Sequence, residues 1–314
     1  RDQPRSRGLG DVYKRQFEDC YKENAFLAED IRQTVQNGVP LSEIAVLFRT
    51  NMQPRALMEY MVSANLAFQT KDRIPDIYEH WIARDFFTYI RIAQGSDSRA
   101  DFLSIMNRPK RYIGRDSLPD ETVCFDEWMK LYEEQPWIAE RIEKLWYDLK
   151  HLSRLSPYAA INYIRRGIGY DDYLAEYAEY RNANKEDFYE VADEILASAK
   201  GYRTFEEWFA HIEEYRQELK RLAQEKRRNQ NAVTFATLHS AKGLEFTKVY
   251  LIDVNEGVMP YKKAVLKQDV EEERRLFYVG MTRAKESLTI CSVKKMRGKE
   301  VELSRFIKEA GKEP

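Results

Sequence analysis

The densest chemistry lies in residues 233–260, VTFATLHSAKGLEFTKVYLIDVNEGVMP. Two apolar, β-forming runs flank a polar cluster. Val233, Phe235 and Leu238 lead in, and Val249, Leu251, Ile252 and Val254 lead out. Between them stand Thr237, His239, Ser240, Lys242, Gly243 and Glu245. Small hydroxyls, a cation, a hinge glycine and a carboxylate on a strand-to-strand connection are what a ligand site at the carboxyl edge of an α/β sheet requires. An ordinary polar loop has the same composition, so the cluster alone leaves both readings open.

Three other places carry candidate chemistry. Arg49 follows the apolar run 44–48, IAVLF, and precedes Pro54, which opens a helix with Leu57, Met58, Met61 and Val62 on one stripe. An arginine there is either a solvated loop cation or a phosphate ligand, because strand ends in open α/β sheets face ligands. Residues 107–115, NRPKRYIGR, form a basic loop. Lys110, Arg111 and the amides around Gly114 could hold a phosphate backbone, or the loop could be a solvated linker. Residues 270–285 read as a helix with Leu276, Phe277 and Val279 inward and Gly280 allowing close approach. Its far end presents Thr282, Arg283 and Lys285.

The elements that must position these groups alternate. Strand patterns at 44–48, 233–238, 249–254 and 287–293 are interleaved with helices, which predicts an α/β domain with a parallel sheet. From 118 to about 229 β-branched residues thin out, Trp, Tyr and Glu become common, and helical patterns recur at 137–152, 158–166, 170–180, 188–199 and 205–228. In the last, Phe205, Trp208, Phe209, Ile212, Tyr215, Leu219 and Leu222 follow helical spacing. Its charge runs from Glu206 and Glu207 to Lys226, Arg227 and Arg228, which suits the helix dipole and needs no ligand. The aromatic stripes read as core rather than as base-stacking platforms. The expectation is an α/β domain from 17–107 and 230–314, interrupted by an all-α insert at 108–229. Residues 1–16, RDQPRSRGLGDVYKRQ, lack hydrophobic periodicity and read as an artefactual or disordered leader.

Composition bounds the rest. A chain of 314 residues suits about two domains. A net charge of -1 excludes wholesale basicity, so nucleic-acid contact must come from local patches. Cys20, Cys124 and Cys291 form no CxxC pair, which argues against a disulfide framework or zinc site and for a reducing, cytoplasmic home. No apolar run reaches the ~20 residues of a membrane helix.

Taken together, three segments resemble the later motifs of the UvrD/PcrA/Rep group of superfamily 1 DNA helicases. IAVLFRTNMQPRALME resembles the fourth motif, TLHSAKGLEF with the downstream EGVMP the fifth, and EEERRLFYVGMTRAKE the sixth. NRPKRYIG resembles the entry to that family's second inserted domain. The match covers nearly everything after residue 16. It implies a second RecA-like motor domain with its helical insert, the C-terminal portion of an ATP-dependent helicase translocating 3′ to 5′. By position, Arg49 and Arg283 match two arginines that reach the γ-phosphate. Phe48 takes the place of an adenine-stacking tyrosine, and Gly243 and Glu245 fall at the nucleotide, the carboxylate near the ribose. Thr237, His239 and Lys242 fall where the family couples nucleotide to DNA. Lys110, Arg111 and Gly114 match a duplex-contacting loop. The implied partners are single-stranded DNA, single-strand/double-strand junctions and a first RecA-like domain, and no membrane.

The chain also departs from the pattern. The family's GIG is Tyr112-Ile113-Gly114 here, which puts close approach to a duplex backbone in doubt, and 71–85 only faintly echoes the family's glycine-rich stretch. No GxxxxGK[ST] loop occurs, and no acidic strand end to hold magnesium, so ATP and Mg would depend on the first motor domain. The expectation is a fragment of a longer protein. A non-catalytic DNA-binding or regulatory module, and the helicase part of a helicase–nuclease subunit, are the alternatives. The purified chain is expected not to hydrolyse ATP. DNA-stimulated turnover that disappears in Arg283→Ala would overturn this.

Overall fold

The computed structural model describes residues 11–224 and 231–309. The leader's first ten residues and the basic run Lys226, Arg227 and Arg228 lie outside them. The chain divides into two units, 1–75 with 215–314, and 76–214.

The first unit is built on a seven-stranded sheet: β1 (Asp11–Asp19), β2 (Ile44–Phe48), β3 (Phe68–Thr70), β4 (Val233–Thr237), β5 (Phe246–Leu251), β6 (Ala284–Met296) and β7 (Lys299–Glu300). The order is β1-β6-β5-β2-β4-β3, all parallel, with β7 antiparallel on β6. β2 is the middle strand and all five of its residues are buried. Ala45 stands opposite Thr234 on one side and Val249 on the other. A strand covered on both faces and both edges carries an unbroken apolar run, which is what IAVLF is.

Helices cover both faces. α1 (Cys20–Gln36) is capped by Asp19, whose carboxylate accepts from the Lys22 amide at 3.0 Å. It lies over the even-numbered side chains of β5: Lys248 Nζ and Tyr250 Oη both donate to Asp30, at 2.6 Å each. α2 (Arg55–Ser63) packs beside α1. On the opposite face Val249 and Leu251 of β5 share a core with Ala45, Leu47, Leu276, Phe277 and Phe306. The helices there, which follow the second unit in the chain, span Lys267–Met281 and Arg305–Glu309.

The strands differ from the sequence expectation in several places: β3 and β7 are unanticipated, and β5 runs over 246–251 rather than 249–254. Residues 11–16, set aside as a leader, form most of β1, with Val12 opposite Leu288 and Arg15 opposite Cys291. This edge strand is exposed on both faces through residue 16, so it has no apolar alternation to betray it. β6 extends well beyond 287–293 at both ends.

The second unit is all-α: α3 (Trp81–Ala93), α4 (Arg99–Ile105), α5 (Phe125–Lys130), α6 (Pro136–Leu152), α7 (Pro157–Arg166), α8 (Tyr170–Tyr180), α9 (Lys185–Ser198) and the first half of α10 (Phe205–Gln224). Its breaks fall at 75/76 and 214/215, not at 107/108 and 229/230. The reason is α3, whose rings pack among the later helices: Phe86 on Tyr170 at 5.1 Å, Phe87 on Phe209 at 5.4 Å, Trp81 on Tyr177 at 5.0 Å. Phe86 and Tyr170 are fully buried, and the other four rings are half-buried, packed ring against ring. The remaining helices are numbered α11 (Lys267–Met281) and α12 (Arg305–Glu309). Among the described residues no helix is long and apolar enough to cross a membrane.

The connection from β4 to β5 holds the motif residues. Both strands run parallel with β2 between them, so residues 238–245 must return the chain from one edge of the sheet to the other without a helix. Leu238 and Ala241 sink into the core beneath α11. Gly280 lets α11 come down on this crossover: a Cβ there would meet Leu238 Cδ2 at 2.3 Å and Leu251 Cδ2 at 3.2 Å. Alanine gains up to ~1 kcal/mol of helix propensity, but overpacking costs ~1–3 kcal/mol. Gly280→Ala is therefore expected to lower stability by about 1 kcal/mol, read as a shift of the urea midpoint. An unchanged or raised midpoint would show that the crossover yields.

Candidate functional site at the two edges of the sheet

Arg49 leaves β2 at the carboxyl edge. The Arg49 and Thr50 amides both donate to Gln53 Oε1, at 2.8 and 2.7 Å, which turns the chain before α2. Gln53 Nε2 reaches Asp253 Oδ2 at 3.4 Å. Asp253 is buried, holds φ 53, and faces the buried Glu23, whose pKa is raised by burial and then by Asp253. The Arg49 guanidinium is forked onto Glu273 of α11. Nε lies 3.0 Å from each carboxylate oxygen and Nη2 lies 2.7 Å from Oε1. The Tyr261 amide donates to Glu273 Oε2 at 3.1 Å, and the Tyr261 ring lies under the guanidinium at 5.3 Å. The two charged side chains are 21% and 9% exposed.

The polar cluster turns on a residue outside it. Asp72 accepts from the Thr237 amide at 2.7 Å, from Thr237 Oγ1 at 3.3 Å and from Ser240 Oγ. Thr237 Oγ1 accepts in turn from the Ser240 amide at 3.2 Å. This folds Thr237 inward and leaves His239 and Lys242 exposed. Both line a cleft of about 510 Å3 together with Arg49, Tyr261, Glu273 and Arg275. Partial burial, then the charges of Arg49 and Lys242, hold the His239 pKa below its ordinary value, against the pull of Glu273 and Asp72. Gly243 sits past the second bend at φ 81, a conformation that favours glycine.

The other motif residues lie at the amino edge. Arg283 precedes β6, and its carbonyl accepts from the Phe246 amide, the first of β5, at 2.9 Å. Its guanidinium donates to Val279 O at 2.9 Å, Leu244 O at 3.0 Å and Thr282 Oγ1 at 3.0 Å. Glu245, exposed, stands just before β5. Nearby Lys285 pairs with Glu43 at 3.1 Å, and the Thr247 hydroxyl bonded to Glu43 is the main cause of its lowered pKa.

The two arginines expected to converge on one phosphate are therefore held apart. Leu47 pairs with Leu251, which puts Arg49 level with Asp253, and Phe246 pairs with Ala284, which puts Arg283 level with Glu245. Eight residues of strand separate those levels, about 26 Å. The cause is strand polarity: a residue following a parallel strand lies at one edge and a residue preceding one lies at the other. Phe48 is also misplaced for adenine stacking. It is 1% exposed, with Phe235 at 6.5 Å, so no ring face is open to a base.

In the second unit the expected duplex loop is largely occupied by its own structure. Arg111 is only 7% exposed, and donates to the carbonyls of Ile105 at 3.2 Å and Met106 at 3.1 Å and to Tyr89 Oη at 3.1 Å. It satisfies the end of α4 rather than facing a ligand. The Gly114 amide donates to Tyr132 Oη at 3.1 Å. Lys110 is exposed and pairs with Glu176 at 2.9 Å. Tyr112 holds φ 58, a conformation that glycine adopts freely, with its ring 5.2 Å from the Arg141 guanidinium. Glu273, Tyr261, Asp72 and Gln53 escaped the sequence reading, because none is marked by periodicity and each acts through a partner distant in the chain or through a turn.

Comparison with known proteins adds an independent line. The family model described as UvrD-like helicase C-terminal domain matches residues 4–127 and 138–295. YjcD of Bacillus subtilis (strain 168) is 27% identical over 92% of this chain and 39% of its own length. The ATP-dependent DNA helicase PcrA of the same organism is 28% identical over 87% of this chain and 40% of its own. The ATP-dependent DNA helicase Rep of Salmonella typhimurium is 27% identical over 87% of this chain and 44% of its own. The chain thus spans less than half the length of these relatives.

The cleft's electrostatics can be read from His239. The folded protein binds its proton less well than the unfolded chain does. Stability drawn from this group is thus fully present above the ordinary histidine pKa and is lost as pH falls from there through the lowered value of the folded protein. Its midpoint, followed by imidazole NMR, is expected below that of an exposed histidine and higher in Arg49→Ala. An identical midpoint in the variant would show that Arg49 does not act on the ring.

Proposed function

This chain belongs to the UvrD-like helicase C-terminal domain family, and we propose that it is the second motor portion of an ATP-dependent DNA helicase of 3′ to 5′ polarity. In this reading the carboxyl edge of its sheet receives single-stranded DNA, and the amino edge faces ATP bound on a first RecA-like domain. One observation carries it: two arginines in different surroundings, one on a carboxylate and one on carbonyl and hydroxyl oxygens, stand on opposite edges of one sheet, and both touch α11.

The carboxyl edge suits a polyanion. Arg49, Lys242 and the rim cation Arg275 surround an open cleft, and a neutral His239 supplies a donor without adding charge. Such contacts give affinity without sequence preference. The Asp72-braced turn fixes Thr237 and Ser240 beside them.

The amino edge suits phosphoryl transfer. Three of the five Arg283 donors are spent on neutral oxygens, which orient the guanidinium without cancelling its charge. Directed at a γ-phosphate, such an arginine is worth ~10³–10⁵ in rate. Arg49 is reassigned from the nucleotide to the DNA side. ATP and its Mg are held mainly by the first motor domain, with Glu245 and Gly243 the contributions from this chain. Phe48 has no part in base stacking. Of the three insert-loop candidates, Lys110 is the one offered to a DNA junction.

The test is binding of the purified chain to a duplex with a 3′ single-stranded tail, followed by anisotropy across salt concentrations. Arg49→Ala and Lys242→Ala should each reduce the log–log salt slope by about one, whereas Arg283→Ala should leave it unchanged. Loss of binding with Arg283→Ala and not with Arg49→Ala would reverse the assignment of the two edges.

A further inference from the structure

We propose that Glu273 is an internal competitor for the phosphate site of Arg49, so that a carboxylate of α11 sets how tightly the carboxyl edge holds a nucleic-acid backbone. The proposal rests on the reading of that edge as the DNA side.

The fork between the two side chains has the geometry a phosphodiester would adopt with the same guanidinium. Nε and Nη2 of Arg49 are committed to Glu273, and Nη1 is outside the fork. The pair is not an ordinary surface bridge. Glu273 is 9% exposed, and the Tyr261 amide holds its second oxygen at 3.1 Å. An arriving phosphate must share Arg49 with a carboxylate, against like-charge repulsion, or displace it. If displaced, Glu273 keeps the Tyr261 amide and lies in a cleft that also contains Lys263 and Arg275. The exchange swaps one anion for another on a single guanidinium, and no cation is left buried and unpaired.

The preceding residue supplies an internal control. Glu272 lines the same cleft and carries the same charge, but it pairs with Arg275 at 2.7 Å where both side chains are more than two-thirds exposed. Such pairs are screened and weak. A general charge effect would make Glu272 and Glu273 equivalent, and a competitor for Arg49 would not. For a motor that moves along a strand the arrangement has a use, because each phosphate is released into competition with a resident anion.

The experiment measures binding of a fluorescent oligo-dT to the full chain at fixed salt. Glu273→Gln should bind roughly tenfold tighter, Glu272→Gln no more than about twofold tighter, and Glu273→Gln should give no gain in an Arg49→Ala background. Equal effects of the two glutamine variants, with Arg49→Ala still weakening binding, would overturn the competitor and keep the DNA side. No effect of either Arg49→Ala or Lys242→Ala would overturn the reading of that edge, and the proposal with it. Glu273→Asp, one methylene shorter and unable to keep the full fork, should act in the same direction and serves if the glutamine variant does not fold. A second readout is the Arg49 Nε–H NMR resonance of the unsubstituted chain. It should move on saturation with oligo-dT, and a stationary resonance would refute displacement.

Discussion

Parallel strands impose a direction, and most of this molecule follows from it. Six of the seven strands run the same way, so every connection between them must bring the chain back across the sheet. A residue placed just after a strand, such as Arg49, arrives at one edge; a residue placed just before one, such as Arg283, arrives at the other. α11 makes such a return. Its early turns meet Arg49 through Glu273, and its last turn offers the Val279 carbonyl to Arg283. The same rule sends the 238–245 crossover from Thr237 on one edge to Glu245 on the other, although eight sequence positions separate them.

The two arginines also show how one side chain can be prepared for different work. Arg283 is held by carbonyl and hydroxyl oxygens, which cost little charge and fix the plane of the guanidinium. Arg49 is held by a carboxylate and an aromatic ring, which fix it as firmly and cancel its charge as well. The first stays electrostatically available and the second is engaged. In the second unit Arg111 takes a third form, serving carbonyls left over at a helix end.

Much of the fold was legible because burial leaves a period in the residues. IAVLF reads as a strand covered on both sides, Gly280 reads as a close approach, and α8 can be placed to the residue. What periodicity does not carry is polarity. The run IAVLFR marks a strand ending in an arginine, but which arginines share an edge depends on connections that only the assembled sheet reveals. Exposure was misjudged for the same reason: Phe48 and Arg111 lie beside motif residues in sequence and beneath them in space. The strand β1 was missed because an edge strand wetted on both faces has no alternation, and the insert boundary was misplaced because composition changes at 118 while packing changes at α3. Glu273 lay in plain view within EEERR, but nothing in a run of charges distinguishes a glutamate that meets Arg49 from one that meets solvent.

The two connections flanking β4 obey opposite rules of length. Between β3 and β4 the chain carries the whole second unit, and closing so long a loop costs only slightly more than closing a short one, since the entropy grows with the logarithm of its length. Between β4 and β5 the eight residues 238–245 must span the sheet beneath α11, with Leu238 and Ala241 fixed in the core. Among descendants of a common ancestor, the first connection is free to gain or lose tens of residues, whereas the second admits no insertion or deletion without unseating a helix. Aligned relatives should therefore differ widely in the number of residues between β3 and β4 and agree to the residue between Thr237 and Phe246.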